Sequence, residues 1–568
     1  VSYQVIDNYA AGLDTRKSPL TSPPGTLTRL TNAVITPGGE ISKRKAFVEI
    51  ADLTGSFGLA ATATKLWVFG RNVPPPTPDI SASGVTLKGM LVPNASAVLH
   101  QTDYDVFNGY IYLACADDGE GVDANPHYYA VPPVDPYADP TSMVKTEGTN
   151  RGYFIRTYQS KIYAVNDKYL HFSAINNPLL WEAELAGPVD ITAMTAGTPL
   201  VCTVGVGEIG KFRNGMSIMI SGCTGPIYEW VNGQNVVSGI DTGAGTFVIN
   251  GDTTGATPPL AAGATADAVP ATGRGFINLS TQDASGEVLK TVEVYYDKLA
   301  LFTTQATQIW AIDPDPAQNA FEQLLRGAGA VSSRSALQYG SGDVLYLDPS
   351  GIRSVRARDS SNSAAVSDIG SPIDPVIQAL RDAYGSDYIG RAISLLEPSV
   401  GRFWMVFPDQ VMVLSYFPGP QITAWSTFTL PFQVTQAVTC NGKVFIRAGN
   451  TLYVYGGNDG KAYDNCGVEI RMPYLDGKKP GHKKQFTALD ATVSGTWRIA
   501  ISYDFNNPDA EETVATVSYP TGGGTWNSGS HEVTGYDSHF SIRLYNNDAL
   551  PATVSNVAIH YEPGAFEE

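Results

Sequence analysis

Cysteine is scarce in this chain. Five residues in 568, Cys115, Cys202, Cys223, Cys440 and Cys466, lie far apart and form no C-x-x-C pair. An odd, scattered set fits a reduced folding environment and buried free thiols better than a disulfide framework. Histidine is also sparse: none of the seven pairs as H-x-x-x-H or sits beside a cysteine at zinc-ligand spacing. No G-x-S-x-G elbow occurs. No apolar run approaches a membrane span, and residues 1–15 lack the basic start and apolar core of a secretory leader. Charged residues make up only 16%, and the net charge is −18. That balance argues against ordinary nucleic-acid binding, which needs a basic surface to displace counterions. It leaves open an acidic wall along which a polyanion slides without sticking.

Glycine (57), proline (37), tyrosine (29) and phenylalanine (21) are abundant. Short alternating runs bounded by Gly, Asn, Asp and Pro predict an all-β chain with many tight turns, too long for one core. One segment reads as a helix, 374–384, with Asp374 as N-cap, Pro375 at the first helical position and an apolar face of Val376, Ile377 and Leu380.

A weak unit recurs: a turn, then an aromatic and aliphatic strand, often followed by a second strand. It appears as TKLWVFG, NGYIYLA, SKIYAVND, DKLALFTT, GDVLYLD, GRFWMVF and GKVFIRA. Taking Lys65, Gly109, Lys161, Lys298, Gly342, Gly401 and Gly442 as markers, the intervals are 44, 52, 137, 44, 59 and 41 residues. All but one suit a propeller blade, and removing 190–274 shortens the long one to 52. The fold expected is a β-propeller of about five to seven blades. Residues 51–189 form its first part and 275–465 its second. Residues 190–274, rich in Asn-Gly turns, read as an inserted small β-barrel module. It resembles the module often inserted in phage structural proteins and akin to the first catalytic cysteine half-domain of ubiquitin-activating enzymes; no ubiquitin chemistry follows. Residues 466–568 carry longer alternating strands and read as a β-sandwich.

Chemical motifs are weak. GVGEIG at 205–210 matches G-x-G-x-x-G, but an Asn-Gly turn and a strand follow where a phosphate-binding helix is required. Asp117, Asp118, Glu120 and Asp123 read as a solvated acidic loop without EF-hand spacing. No catalytic, cofactor or metal residues are assigned, and the chain is not expected to be an enzyme. Two proline-rich loops, 73–79 and 131–140, read as stiff connectors or rim elements. Two basic islands stand out. Arg16, Lys17, Lys43, Arg44 and Lys45 lie in the first, and Arg471, Lys478, Lys479, Lys483 and Lys484 in the second. They are the candidate docking residues, placed to meet acidic neighbouring subunits.

The start of the chain carries a further pattern: Gly12, Leu13, Asp14, Thr15, Arg16, Ser18 and Pro19, then Pro23-Pro24-Gly25, Asn32, Gly38-Gly39 and Lys43-Arg44. It resembles the N-terminal arm of the tail nozzle (tail tubular B-type) proteins of short-tailed bacteriophages. Residues 326–377, with GIRS at 351–354 and DIG at 368–370, and WSTFTLPF at 425–432 resemble later parts of that family. The resemblance implies a virion protein without cofactors: a homohexamer in the short tail below an adaptor ring, with tail fibres or spikes and the host surface beyond. Its gated channel would retain and then conduct double-stranded viral DNA. On this reading residues 1–50 are an arm lying outside the blades that docks on neighbours. The rival readings are a tail-associated carbohydrate-binding or depolymerising propeller, with two carboxylates about 5–9 Å apart, and a secreted propeller adhesin.

Overall fold

The computed structural model describes the chain apart from residue 1 and residues 94–98, 118–124, 136, 147–151, 182–187, 196, 198, 213–216, 224–230, 250–263, 269–272, 283–286, 341, 362–367, 520–529 and 565–568. The expected acidic loop at 117–123 lies almost wholly outside the described residues.

Seven blades follow one another and close into a ring, six of them separate small sheets and blade 6 the end of a 14-stranded sheet. Blade 1 contains Phe57–Ala61, Lys65–Arg71 and Thr86–Val92; blade 2 runs from Leu99–Phe107 to Met143–Lys145. Blade 3 is Phe154–Tyr158, Lys161–Asn166, Tyr169–Phe172 and Gly275–Asn278; blade 4 runs from Leu289–Tyr295 to Ala320–Arg326. Blade 5 has three strands, Leu337–Gln338, Val344–Asp348 and Gly351–Ser354, and blade 6 runs from Ile393–Glu397 to Ile422–Thr429. Blade 7 combines Gln436–Cys440, Lys443–Ala448 and Thr451–Tyr455 with Phe47–Asp52, the latter paired antiparallel to Thr451–Tyr455. This early strand clasps the ring, joining the start of the propeller to its last blade.

The first strands of successive blades face the axis, and those of blades 7 and 1 also pack together. All seven sequence markers fall in the first hairpin of a blade. At Asn108-Gly109 and Asn441-Gly442 both turn residues have positive φ, the conformation a tight two-residue hairpin needs and Asn-Gly tolerates. Blade 1 departs from a simple meander: its third strand runs parallel to its second. The proline loop that makes this crossing packs Pro75 over the blade, in the space a Cβ at Gly70 or Gly89 would fill.

Residues 189–268 leave blade 3 between its third and fourth strands. They form a seven-stranded sheet running from Val189–Asp190 to Ala193–Thr195. Those end strands are neighbours in sequence, so the sheet curls back on itself. Its core includes Met194, Leu200, Cys202, Phe212 and Phe247, with the two phenylalanine rings stacked at 4.6 Å.

The C-terminal region is built on one 19-residue strand, Lys484–Ser502. Its first half pairs with His531–Asp537 and Thr553–Pro563, its second with Glu512–Tyr519 and Ser541–Asn546. One continuous sheet joins this region to blade 6, passing through Val468–Arg471 and the early strand Arg29–Thr31.

Three expectations need correction. The arm does not lie wholly outside the blades: Phe47–Asp52 is a strand of blade 7, Arg29–Thr31 pairs with the outer strand of blade 6, and Tyr9, Leu13, Leu27, Leu30, Ala33, Ile35 and Ile41 are buried in the core shared by blade 6 and the C-terminal strands. A second short helix, Val355–Ser361, follows blade 5. The helix Asp374–Gly390 breaks at Gly385, close to the expected end, but Asp374 makes no N-cap bond. Its carboxylate instead takes two bonds from Arg353, at 2.7 and 2.9 Å.

Candidate functional site

The inner strand of every blade is a sheet edge, with backbone donors and acceptors that need partners. Here side chains from neighbouring blades supply many of them. Gln101 of blade 2 brackets Leu59 of blade 1, accepting from its N–H at 2.7 Å and donating to its carbonyl at 2.9 Å. Asp103 accepts from Ile155 N–H at 3.1 Å, and Asp105 from Thr157 N–H at 2.6 Å, joining blade 2 to blade 3. Tyr153 hydroxyl donates to Leu289 carbonyl, Ser394 hydroxyl to the Arg334 and Ala336 carbonyls, and Thr439 hydroxyl to Leu396 carbonyl. The alternation of strand side chains, with period two, puts residues 101, 103 and 105 on the same edge.

These bridges surround a cavity of about 470 Å³ lined by inner strands of blades 1, 2, 3, 6 and 7 and the segment leading into blade 5. Asp103, Asp105, Arg156 and Arg334 supply its charges. Arg156 pairs with Glu293 of blade 4 and lies 3.9 Å from Asp105. Arg334 donates to Gln436 Oε1, and Gln436 in turn donates to Gln101 carbonyl at 3.2 Å. Burial pushes the Asp103 carboxyl up to about 6 and that of Glu293 up to about 7, outweighing the nearby arginines. Burial likewise lowers the Arg334 guanidinium from its ordinary value. The axis thus holds a partly open, charged cavity of pocket size.

Sequence reasoning assigned no role to this cluster. Its signal is charge inside first strands, in TDYDV, FIRTY and VEVYY, where the first strands of the remaining blades are neutral except for Glu397 at the end of blade 6's.

The candidate docking residues divide. Lys43, Arg44 and Lys484 are buried inside the chain, which corrects their assignment to a docking face. Lys43 ammonium donates to Asn546 Oδ1 at 2.8 Å and to Asp548 carbonyl; Arg44 pairs with Asp464 at 3.0 Å. Lys484 ammonium is enclosed by the carbonyls of Lys479, His482 and Ser538. Arg16 pairs with Asp14 at 2.7 Å, and Arg471 with Glu469 and Asp509. Lys45 is half-buried; Lys17, Lys478, Lys479 and Lys483 are exposed. The segments that carry the two islands meet within one chain, where Arg29, between Lys17 and Lys43, pairs in register with Arg471.

The arm pattern has an internal explanation. Gly12 has φ +57, and a Cβ there would lie 2.7 Å from that of Ala424. Leu13 N–H donates to Trp425 carbonyl, and Thr15 hydroxyl to Pro372 carbonyl. Asn32 amide donates to Thr429 hydroxyl and Gly467 carbonyl, and its oxygen accepts from Arg44. The GIRS segment is wired similarly. Asp374 occupies the space beside Gly351, Ser354 hydroxyl donates to Asp343, and Ser354 N–H donates to Asp368. These residues bind the arm, blades 5 and 6 and the C-terminal strands into one body.

The short helical turn Ile209–Lys211 at the end of GVGEIG is a three-residue 3₁₀ piece, not a phosphate-binding helix. All five cysteines are free. Among the described residues no cluster of three or more His, Cys, Asp or Glu suits a metal ion, and no helix is long and apolar enough to cross a membrane.

No protein-family model and no curated protein matches the chain. Among solved structures, the Neurospora crassa Pan2 WD40 domain aligns at 8% identity over 62% of this chain and 88% of its own, with TM-score 0.27. Kluyveromyces lactis Hsv2 aligns at 8% identity over 67% and 95%, with TM-score 0.25. The extracellular domain of BT4673 from B. thetaiotaomicron aligns at 10% identity over 96% and 82%, with TM-score 0.22. Superpositions this loose carry no functional argument; the propeller rests on the strand order and ring closure above.

Proposed function

We propose that this chain is a structural subunit of the nozzle of a short phage tail, forming one wall of a homohexameric gated channel for viral DNA. The reading rests on the ordered pattern from Gly12 to Arg44, followed by the segments around GIRS and WSTFTLPF. The role those residues play within the chain supports it. They fuse arm, propeller and C-terminal strands through a continuous sheet, the stiffness expected of a wall that withstands the passage of a duplex. The axial cavity is too small and too heavily bridged for DNA, so the path lies between chains. Six chains at −18 would carry about −108, a field that keeps a polyanion centred and unbound. An adaptor ring above, and tail fibres or spikes and the host surface below, are the partners this placement requires. Negative-stain microscopy of the purified protein tests it: a six-fold ring with a central pore supports the reading, and a monomeric propeller sinks it.

A further inference from the structure

The axial cavity holds two opposite charges that the fold leaves incompletely matched. Asp103 is 6% exposed, yet among the described residues its one hydrogen bond is the Ile155 N–H at Oδ2. Arg334 has one hydrogen-bond partner among the described residues, the neutral Gln436, and no carboxylate within ion-pairing distance. The other arginine of the cavity, Arg156, is already committed to Glu293 and Asp105. Asp105 is likewise committed, to Thr157 N–H and to Val106 N–H at 2.8 Å. An acceptor and a fork of donors, which attract each other but share no hydrogen bond, therefore face one partly open space of about 470 Å³. Leu337, Ile393 and Leu395 give that space apolar walls.

We propose that the axial cavity is a binding site for a small zwitterion, its ammonium group held by Asp103 and its carboxylate by Arg334. A simple anion would meet Asp103 and Asp105, and a simple cation would meet Arg156 and Arg334. A molecule carrying both charges satisfies both ends at no net charge, and its carboxylate suits the guanidinium fork. The volume falls in the range of small-molecule sites and fits a free amino acid. Burial raises the Asp103 carboxyl to about 6 and lowers Arg334, although the two attract each other and Arg156 also attracts Asp103. The site is independent of the nozzle reading, since it lies within one chain.

Titration calorimetry of the full-length protein at pH 7.5 tests the proposal, with glycine, alanine, 4-aminobutyrate, acetate and methylammonium as probes. At least one zwitterion should bind with Kd below about 1 mM, and acetate and methylammonium at least about tenfold more weakly. Arg334→Gln and Asp103→Asn should each weaken binding by about 10- to 100-fold. Both residues also bridge blades, so Leu337→Trp is included as a variant that fills the cavity and leaves its charges in place; it too should abolish binding. Acetate binding as tightly as the zwitterions would overturn the assignment in favour of an anion site. Absence of any binding at about 10 mM, or binding unchanged in Leu337→Trp, would overturn it outright.

Discussion

Replacing Arg156 with methionine removes the cation that Glu293 and Asp105 share and leaves a side chain of similar length. At pH 8 the variant must keep two carboxylates in the axial seam with their closest countercharge gone. Breaking one side of a buried ion pair costs about 3–5 kcal/mol. That cost depends on protonation. Burial already raises Glu293 to about 7, above its unfolded value, so the folded chain binds this proton more tightly than the unfolded one. The contribution of Glu293 to stability is therefore greatest at low pH and falls as pH rises through about 7, with a slope of at most about 1.4 kcal/mol per unit. Without Arg156 the carboxyl rises further and is protonated throughout at pH 6. The Arg156→Met loss should then shrink towards about 1–2 kcal/mol, the lost packing and hydrogen bonds. Denaturant unfolding followed by tryptophan fluorescence at pH 6 and pH 8 measures both values. Adding Glu293→Gln should recover much of the loss at pH 8. Equal losses at the two pH values, or a double variant no more stable than Arg156→Met at pH 8, would refute this account of the seam.

Other substitutions probe other parts of the body. Gly12→Val places a branched side chain at φ +57 against Ala424 and should cost at least about 2 kcal/mol in the same unfolding assay. Asp374→Ala strands Arg353 beside Gly351 and should destabilise the chain by about 2–4 kcal/mol, whereas mutating Asp382, exposed on the same helix, should move the midpoint little. Lys43→Met leaves the Asn546 and Asp548 oxygens without their buried donor and should lower stability by about 1–3 kcal/mol. The triple change Lys478→Glu, Lys479→Glu and Lys483→Glu alters exposed side chains and should leave unfolding within about 0.5 kcal/mol for each change. If those lysines meet acidic neighbours, the same protein should run as smaller species in analytical ultracentrifugation.

Local patterns carried much of the fold. Each marker is a hairpin whose alternation and turn residues are contiguous, so seven units, and from them about five to seven blades, were legible from single stretches of chain. What closes the ring is not local. Phe47–Asp52 reads as an ordinary strand, and nothing within it points to Thr451–Tyr455 some 400 residues later. The basic islands misled for a related reason. Charge normally marks surface, but the Lys43 and Lys484 ammonium groups are ringed by carbonyl oxygens from distant segments, and that solvation exists only in the folded chain. Asp374 looked like a cap because it precedes Pro375; its partner Arg353 lies across a turn that the linear pattern does not bring close. The axial cluster was visible only as unusual charge inside strands, and its meaning required the ring.

The nozzle proposal places the DNA path between chains, beside the propellers and not through them. A cryo-EM reconstruction of the purified full-length assembly measures this most directly. The account predicts six copies around one pore wide enough for a duplex, with side-chain density bridging each propeller axis at Gln101, Asp103, Asp105 and Arg334. A monomer, or an assembly in which the blade axes are open and the space between chains is closed, would contradict it.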